Sequence, residues 1–131
     1  MLHRFAAGSV IPSMGIAIAG LVVLLTPGLG PQRFYPVTIL WCFVPAMWGL
    51  WAMLAPKAWV PRRFPTWGAI LGLAAGLFVA FVLNLPSLVY GEAIPSTLRG
   101  AAVLFLVGFY YLLWMLVRVV YRCLAGPPSA G

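Results

Sequence analysis

Carboxylates are almost absent from this chain: Glu92 is its only acidic residue, against eight lysines and arginines. Catalysis by a positioned acid and base therefore has too few groups to work with. A single histidine, His3 beside Arg4, excludes bis-histidine haem ligation by this chain alone. The two cysteines, Cys42 and Cys123, fall at opposite ends of the apolar segments described below, too far apart for a disulfide. They form no CxxC pair and leave a zinc site short of ligands. Ser9, Ser13, Thr26 and Thr38 have no base nearby in sequence to activate them as nucleophiles. No catalytic residue, resident cofactor or metal is expected, and the chain reads as a non-enzyme.

Charge is scarce altogether. Charged residues make up 7% of the 131 positions, against about 25% in ordinary soluble domains. The net charge is +7, but the basic residues stand singly or in short pairs between long apolar runs, which argues against nucleic acid as a partner. What fills the chain instead is apolar side chain, at 64%. A water-soluble domain of this size exposes too much of its surface to hide that much. Lipid is the solvent that fits.

Four apolar windows approach the roughly 20 residues a transmembrane helix needs. They cover about 9–26, 36–55, 66–85 and 97–121, within one domain at 1–125 followed by a flexible tail at 126–131. Pro27-Gly28 stops the first, Pro36 and Pro56 bracket the second, Pro86 follows the third, and Pro95-Ser96-Thr97 opens the fourth. Proline cannot extend the helical ladder, and Ser or Thr can cap its free N–H groups. The runs are continuous rather than alternating, so helices and not a barrel are expected. The first window has a signal-peptide outline after Met1–Arg4. It is longer than a simple h-region, however, and its small residues Ala17, Ala19 and Gly20 lie inside it, so an uncleaved span is expected. The fold class is therefore an all-α membrane protein with four transmembrane helices in an antiparallel bundle.

With four spans, Arg4, Lys57, Arg62, Arg63, Arg118 and Arg122 fall on one side, and Arg33 and Arg99 on the other. The positive-inside rule then puts both termini in the cytoplasm, most simply at a bacterial inner membrane. Shifting the sequence by 59 residues also superposes Arg4-Phe5 on Arg63-Phe64, Pro27 on Pro86, Pro36 on Pro95 and Gly49 on Gly108. Two tandem, parallel helical hairpins would produce this match. Hairpins that merely obey the same topology rules would share such flanking residues too.

In lipid, helices associate through close packing at small residues. Gly68, Gly72, Gly76 and Ala80 form a four-residue stripe on the third window, the expected helix-packing surface, facing a helix of the same chain or of another copy. Gly15 and Ala19 form a shorter patch on the first. Pro12 and Pro45 lie inside spans and are expected to kink them. On the fourth, Tyr110, Trp114, Arg118 and Arg122 share a face. Trp114, Arg118 and Arg122 are candidates for contact with an anionic lipid headgroup, with a cation–π contribution from Trp114. Trp48 lies deeper than an aromatic belt requires, which suggests burial against a helix, pigment, quinone or lipid tail. Asn84 is expected to close the third helix, and Glu92 to pair with Arg33 or Arg99 outside the membrane.

No Asp, Glu, Lys or His falls within the interior of a span, which disfavours proton-coupled transport. The reading that follows is a structural or accessory subunit that packs against other membrane proteins, copies of itself, or membrane lipids. The alternative is a small homo-oligomeric channel or carrier for a neutral or lipid-like solute.

Overall fold

The computed structural model describes residues 1–26, 31–84 and 95–126, with the side chains of 31–38 and 40 left aside. Among these residues the secondary structure is helical throughout. Helix α1 runs Leu2–Leu25, α2 Pro31–Leu54, α3 Phe64–Leu77 and α4 Ser96–Ala125. A single 3-10 turn, Lys57–Trp59, lies between α2 and α3, and α3 continues into a π-helical segment, Phe78–Val82. Three stretches are long and apolar enough to cross a membrane: Leu2–Leu25, Phe64–Val82 and Ser96–Ala125. The stretch of α2 whose side chains are all described, Trp41–Leu54, is apolar but shorter. The turns at Pro27 and Pro86, Glu92 and the tail beyond Gly126 lie outside the described residues.

Helix boundaries depart from the apolar windows in an instructive way. Helix α1 begins seven residues before Ser9, and α4 continues four beyond Tyr121, because a helix extends past hydrocarbon wherever its backbone can stay bonded. Proline does not bracket α2: Pro31 starts it, and Pro36 and Pro45 both lie inside it. The first turn has no use for an N–H, so Pro31 costs nothing there. Pro12 is likewise embedded within α1. The expected Ser/Thr capping does not occur, since α4 carries no side-chain cap bond. The Pro95 carbonyl instead accepts from the N–H groups of Leu98 and Arg99. Asn84 stands just past the π segment at φ 49°, in the left-handed conformation that asparagine tolerates and helix ends require.

The backbones of α3 and α4 approach along most of α3, α1 lies against α2, and α1 also touches α4. Helix α2 reaches α3 and α4 through tryptophan rings: Trp48 against Tyr110 and Trp114, and Trp51 against Trp67. The core is Ala7, Trp48, Ala52, Ala55, Phe64, Leu71, Trp114 and Val117. It draws on the first half of α1 and α3 and the second half of α2 and α4, so it sits toward one end of the bundle. Beyond Pro12, no described residue of α1 is buried.

The glycines show how this end closes. A Cβ on Gly68 would fall on the Trp114 ring, and one on Gly72 would stand 2.8 Å from Tyr110 Cβ and 3.1 Å from the Leu106 carbonyl. A Cβ on Gly76 would meet Val103 at 3.3 Å. In the first hairpin, a Cβ on Gly8 would stand 2.6 Å from the Trp48 carbonyl, and one on Gly49 would fall on Ser9 and the Phe5 ring. By contrast, no described atom lies within 4 Å of a Cβ on Gly15, whereas Ala19 is half-buried, so the expected patch is not one continuous contact among the described residues. The 59-residue shift does not carry one hairpin's contacts onto the other. It would map Gly68–Trp114 onto Ser9–Ala55, whereas Ser9 faces Pro45 and Gly49, roughly two turns away.

These contacts rank the glycines. Gly68→Ala should destabilise the protein by about 1–3 kcal/mol, as overpacking does, because the obstructing atoms belong to a buried ring with nowhere to move. Gly76→Ala should cost much less. Thermal unfolding in mild detergent, followed by tryptophan fluorescence, checks the order; equal midpoints for the two variants would contradict it.

Candidate functional site

The end of the bundle where α1 and α3 start and α2 and α4 finish gathers six of the eight basic residues and a cluster of aromatic rings. Arg4 of α1 donates to the Ala55 carbonyl at the end of α2, at 3.1 Å. A cation there satisfies a terminal carbonyl and complements the negative end of the helix dipole. The rings of Phe64 and Tyr121 meet edge to face at 5.5 Å, which brings the start of α3 beside the end of α4. Arg4, Lys57, Arg62, Arg63, Arg118 and Arg122 are thereby collected at a single end of the bundle.

Just inside this end lies a reciprocal tryptophan pair. Trp51 Nε1 donates to the Trp67 carbonyl at 2.9 Å, Trp67 Nε1 donates to the Trp51 carbonyl at 2.8 Å, and the rings stack at 4.7 Å. Each indole thus satisfies its N–H on the other's backbone while burying its face on the other's ring. Trp59 meets the edge of Trp67 at 5.8 Å, and Arg63 lies over the Trp59 ring at 5.6 Å, within cation–π range. Nothing in the spacing of Trp51 and Trp67 announces this pair. They fall on two different helices across a turn, and only the geometry of that turn brings them face to face.

The fourth-helix face changes role along its length. Arg122 is exposed and Arg118 half-buried, so both remain available to a headgroup. Trp114 does not: it is 0% exposed, with Phe64 at 5.8 Å, Trp48 at 5.5 Å and the Gly68 backbone beneath it. Its expected headgroup contact is corrected, because a side chain without exposed surface cannot reach lipid. Its Nε1 is buried without a hydrogen-bond acceptor, surrounded by rings. Gly68, Gly72 and Gly76 face α4, and Ala80 is buried at 3%. Trp48 is buried against Tyr110 and Trp114, so its depth reflects packing within the chain.

Between α2 and α3 lies an apolar cleft of about 390 Å³. Trp48 and Trp51 form its α2 wall with Met47 and Phe43; Ala74, Ala75, Phe78 and Val79 form its α3 wall. It exists because tryptophans hold the two backbones apart while alanines leave the opposite wall thin. Elsewhere, Ser9 Oγ donates to the Pro45 carbonyl at 3.0 Å, an interhelical bond, and Ser13 Oγ to the Ser9 carbonyl at 2.7 Å. Cys42 and Cys123 are free and exposed, and His3 is exposed.

No protein-family model matches the chain, and no curated protein or solved structure is significantly similar to it.

The tryptophan pair should be energetically coupled. Trp51→Phe and Trp67→Phe each remove one interhelical hydrogen bond and keep most of the stacking area. Each is expected to lower stability by about 0.6 kcal/mol, the usual scale of such bonds between membrane helices. A double-mutant cycle in detergent should return a non-zero interaction energy, because the two bonds share one stacked geometry. Strict additivity would mean that the pair does not act as a unit.

Proposed function

We propose that this chain is a four-span integral membrane protein, with both termini in the cytoplasm of a bacterium, and that it serves as a non-catalytic structural or accessory subunit of a larger membrane assembly. The observation that carries this reading is the outer half of α1. From Gly15 to Leu25 it buries no residue, and Met14, Ile18, Leu21 and Leu24 are all exposed. Gly15 supplies a small residue on the exposed side of this half, where another helix can come close. An apolar helix half of this kind suits contact with a neighbouring membrane protein.

Two further features support the reading. Several polar side chains tie helices together, Ser9 on α2, Arg4 on the α2 terminus, and the Trp51–Trp67 pair across the turn, while Ser13 and Thr26 bond within α1. Gathering six basic residues at one end suits a cytoplasmic face. Helix α2 is counted as the fourth span because its partner helices leave it no other direction. The likeness at 59 residues fits shared topology rules better than a duplicated packing unit, since the two hairpins meet in different registers.

Two measurements test this. Mild detergent extraction followed by native mass spectrometry should find the chain with other membrane proteins. A lone monomer or pure homo-oligomer would sink the accessory-subunit reading, and the homo-oligomer would favour a carrier for a neutral or lipid-like solute. For orientation, the exposed Cys123, in a Cys42→Ser background, should resist a membrane-impermeant maleimide in intact cells and react after permeabilisation. Labelling in intact cells would reverse the assignment.

A further inference from the structure

We infer that the cleft between α2 and α3 is a binding site for a single hydrocarbon chain of a membrane lipid, acyl or isoprenoid. The inference rests on the reading of the chain as membrane-spanning, and on no particular partner protein.

Size decides between the occupants that an apolar cleft in this setting might take. The cleft holds about 390 Å³. A partner helix, about 10 Å across, would displace on the order of 1,400 Å³ over the roughly 18 Å of the α3 wall, more than the roughly 1,000 Å³ of space outside atoms in the cleft. Water is disfavoured by the lining, in which carbon atoms dominate both walls and offer few of the polar partners an ordered water needs. The α2 wall of the cleft, from Phe43 to Trp51, runs about 12 Å at helical rise. From Leu71 to Leu83 its α3 wall extends about 18 Å at helical rise, slightly more than the roughly 15 Å of hydrocarbon in one leaflet. A single extended chain fits that shape.

The walls fit the same occupant. Trp48 and Trp51 hold α2 off α3, and the stacked Trp51–Trp67 pair lies toward the basic end of the cleft. Ala74 and Ala75 present almost no side chain to the space between. Farther along, α3 leaves α-helical geometry: Phe78 N–H is shared between the Ala74 and Ala75 carbonyls, and Leu83 N–H reaches back to Phe78 in a π turn. Ala74, Ala75, Phe78 and Leu83, the residues of this irregular stretch, all line the cleft. Short π segments inside helices are frequent at functional sites, and this one shapes the wall the chain would lie along. The opposite side of α4 offers a contrast. There Leu104, Phe105 and Leu112 are openly exposed and border a depression of about 460 Å³ that is more open than the cleft, the surface expected of ordinary boundary lipid.

The test uses the full chain in lipid nanodiscs doped with a phosphatidylcholine bearing a diazirine within one acyl chain. Photolysis and peptide mass spectrometry should place adducts on the Met47–Trp51 and Ala74–Val79 stretches in excess of those on Leu104–Leu112. That excess should persist when the probe is diluted with unlabelled lipid before irradiation, because a held chain exchanges slowly. Ala75→Trp fills the cleft and should reduce its adducts about tenfold, equivalent to about 1.4 kcal/mol of lost contact, with α4 adducts unchanged. Ala74→Leu is the milder variant should Ala75→Trp fail to fold. Equal labelling of cleft and α4, or labelling indifferent to both variants, would overturn the inference and leave boundary lipid only. Carbonate extraction of the same preparation separates the two failures. A chain that washes out of membranes refutes the spanning reading itself, whereas a chain that stays without cleft enrichment refutes the lipid site alone.

Discussion

Between helices immersed in lipid, the apolar side chains of one helix gain nothing by leaving hydrocarbon for another, so shape must do what hydrophobic contrast does in water. Here the shape is Trp114 seated on Gly68. The largest side chain in the chain's repertoire occupies the space left by the smallest, and its ring also meets Phe64 and Trp48. Three helices are thereby fixed by one residue. Moving Trp114 would release α4 from α3, remove the partner of Trp48, and with it one of the few ties between α2 and the second hairpin. The buried indole N–H without an acceptor is the cost of this arrangement, on the order of 1–3 kcal/mol. Ring contacts on several sides offset it.

The same choice of residues produces the cleft. Gly68, Gly72 and Gly76 turn the smooth face of α3 toward α4, so the face left for α2 carries Leu71, Ala74, Ala75 and Phe78. Helix α2 then cannot approach by backbone contact, because Trp48 and Trp51 stand in between. Tight packing on one side of α3 and open space on the other are two consequences of one allocation of small and large side chains.

Much of the architecture was legible in the residues, and the limits of that legibility are physical. Helices in roughly the right windows follow from apolar length, and the glycine stripe from its four-residue spacing. Proline misled at Pro36, because a membrane helix tolerates proline where an aqueous one ends. Gly15 has the spacing of a contact but no described atom near its Cβ position, while Gly8 and Gly49 make closer contacts than their spacing suggests; which small residues meet depends on the height at which two helices pair. The depth of Trp48 is readable from the sequence, but its facing partners, Tyr110 and Trp114, are not. The Trp51–Trp67 pair and the cleft beside it depend on the rotation of α2 about its axis, which local periodicity leaves open when nearly every position is apolar.

That last point bears on why the functional reading rests on surfaces rather than on a reactive group. Small and large side chains in this chain set where helices come close and where they stand apart. Its basic end is closed by Arg4, by the reciprocal tryptophans and by the Trp114 seat, each joining a different pair of helices. Its other half leaves α1 uncovered. A rigid end joined to an open one is a reasonable design for a component that must hold its own shape while presenting apolar surface to neighbours. In such a component a hydrocarbon chain lodged between α2 and α3 would complete the packing that tryptophan spacers leave undone.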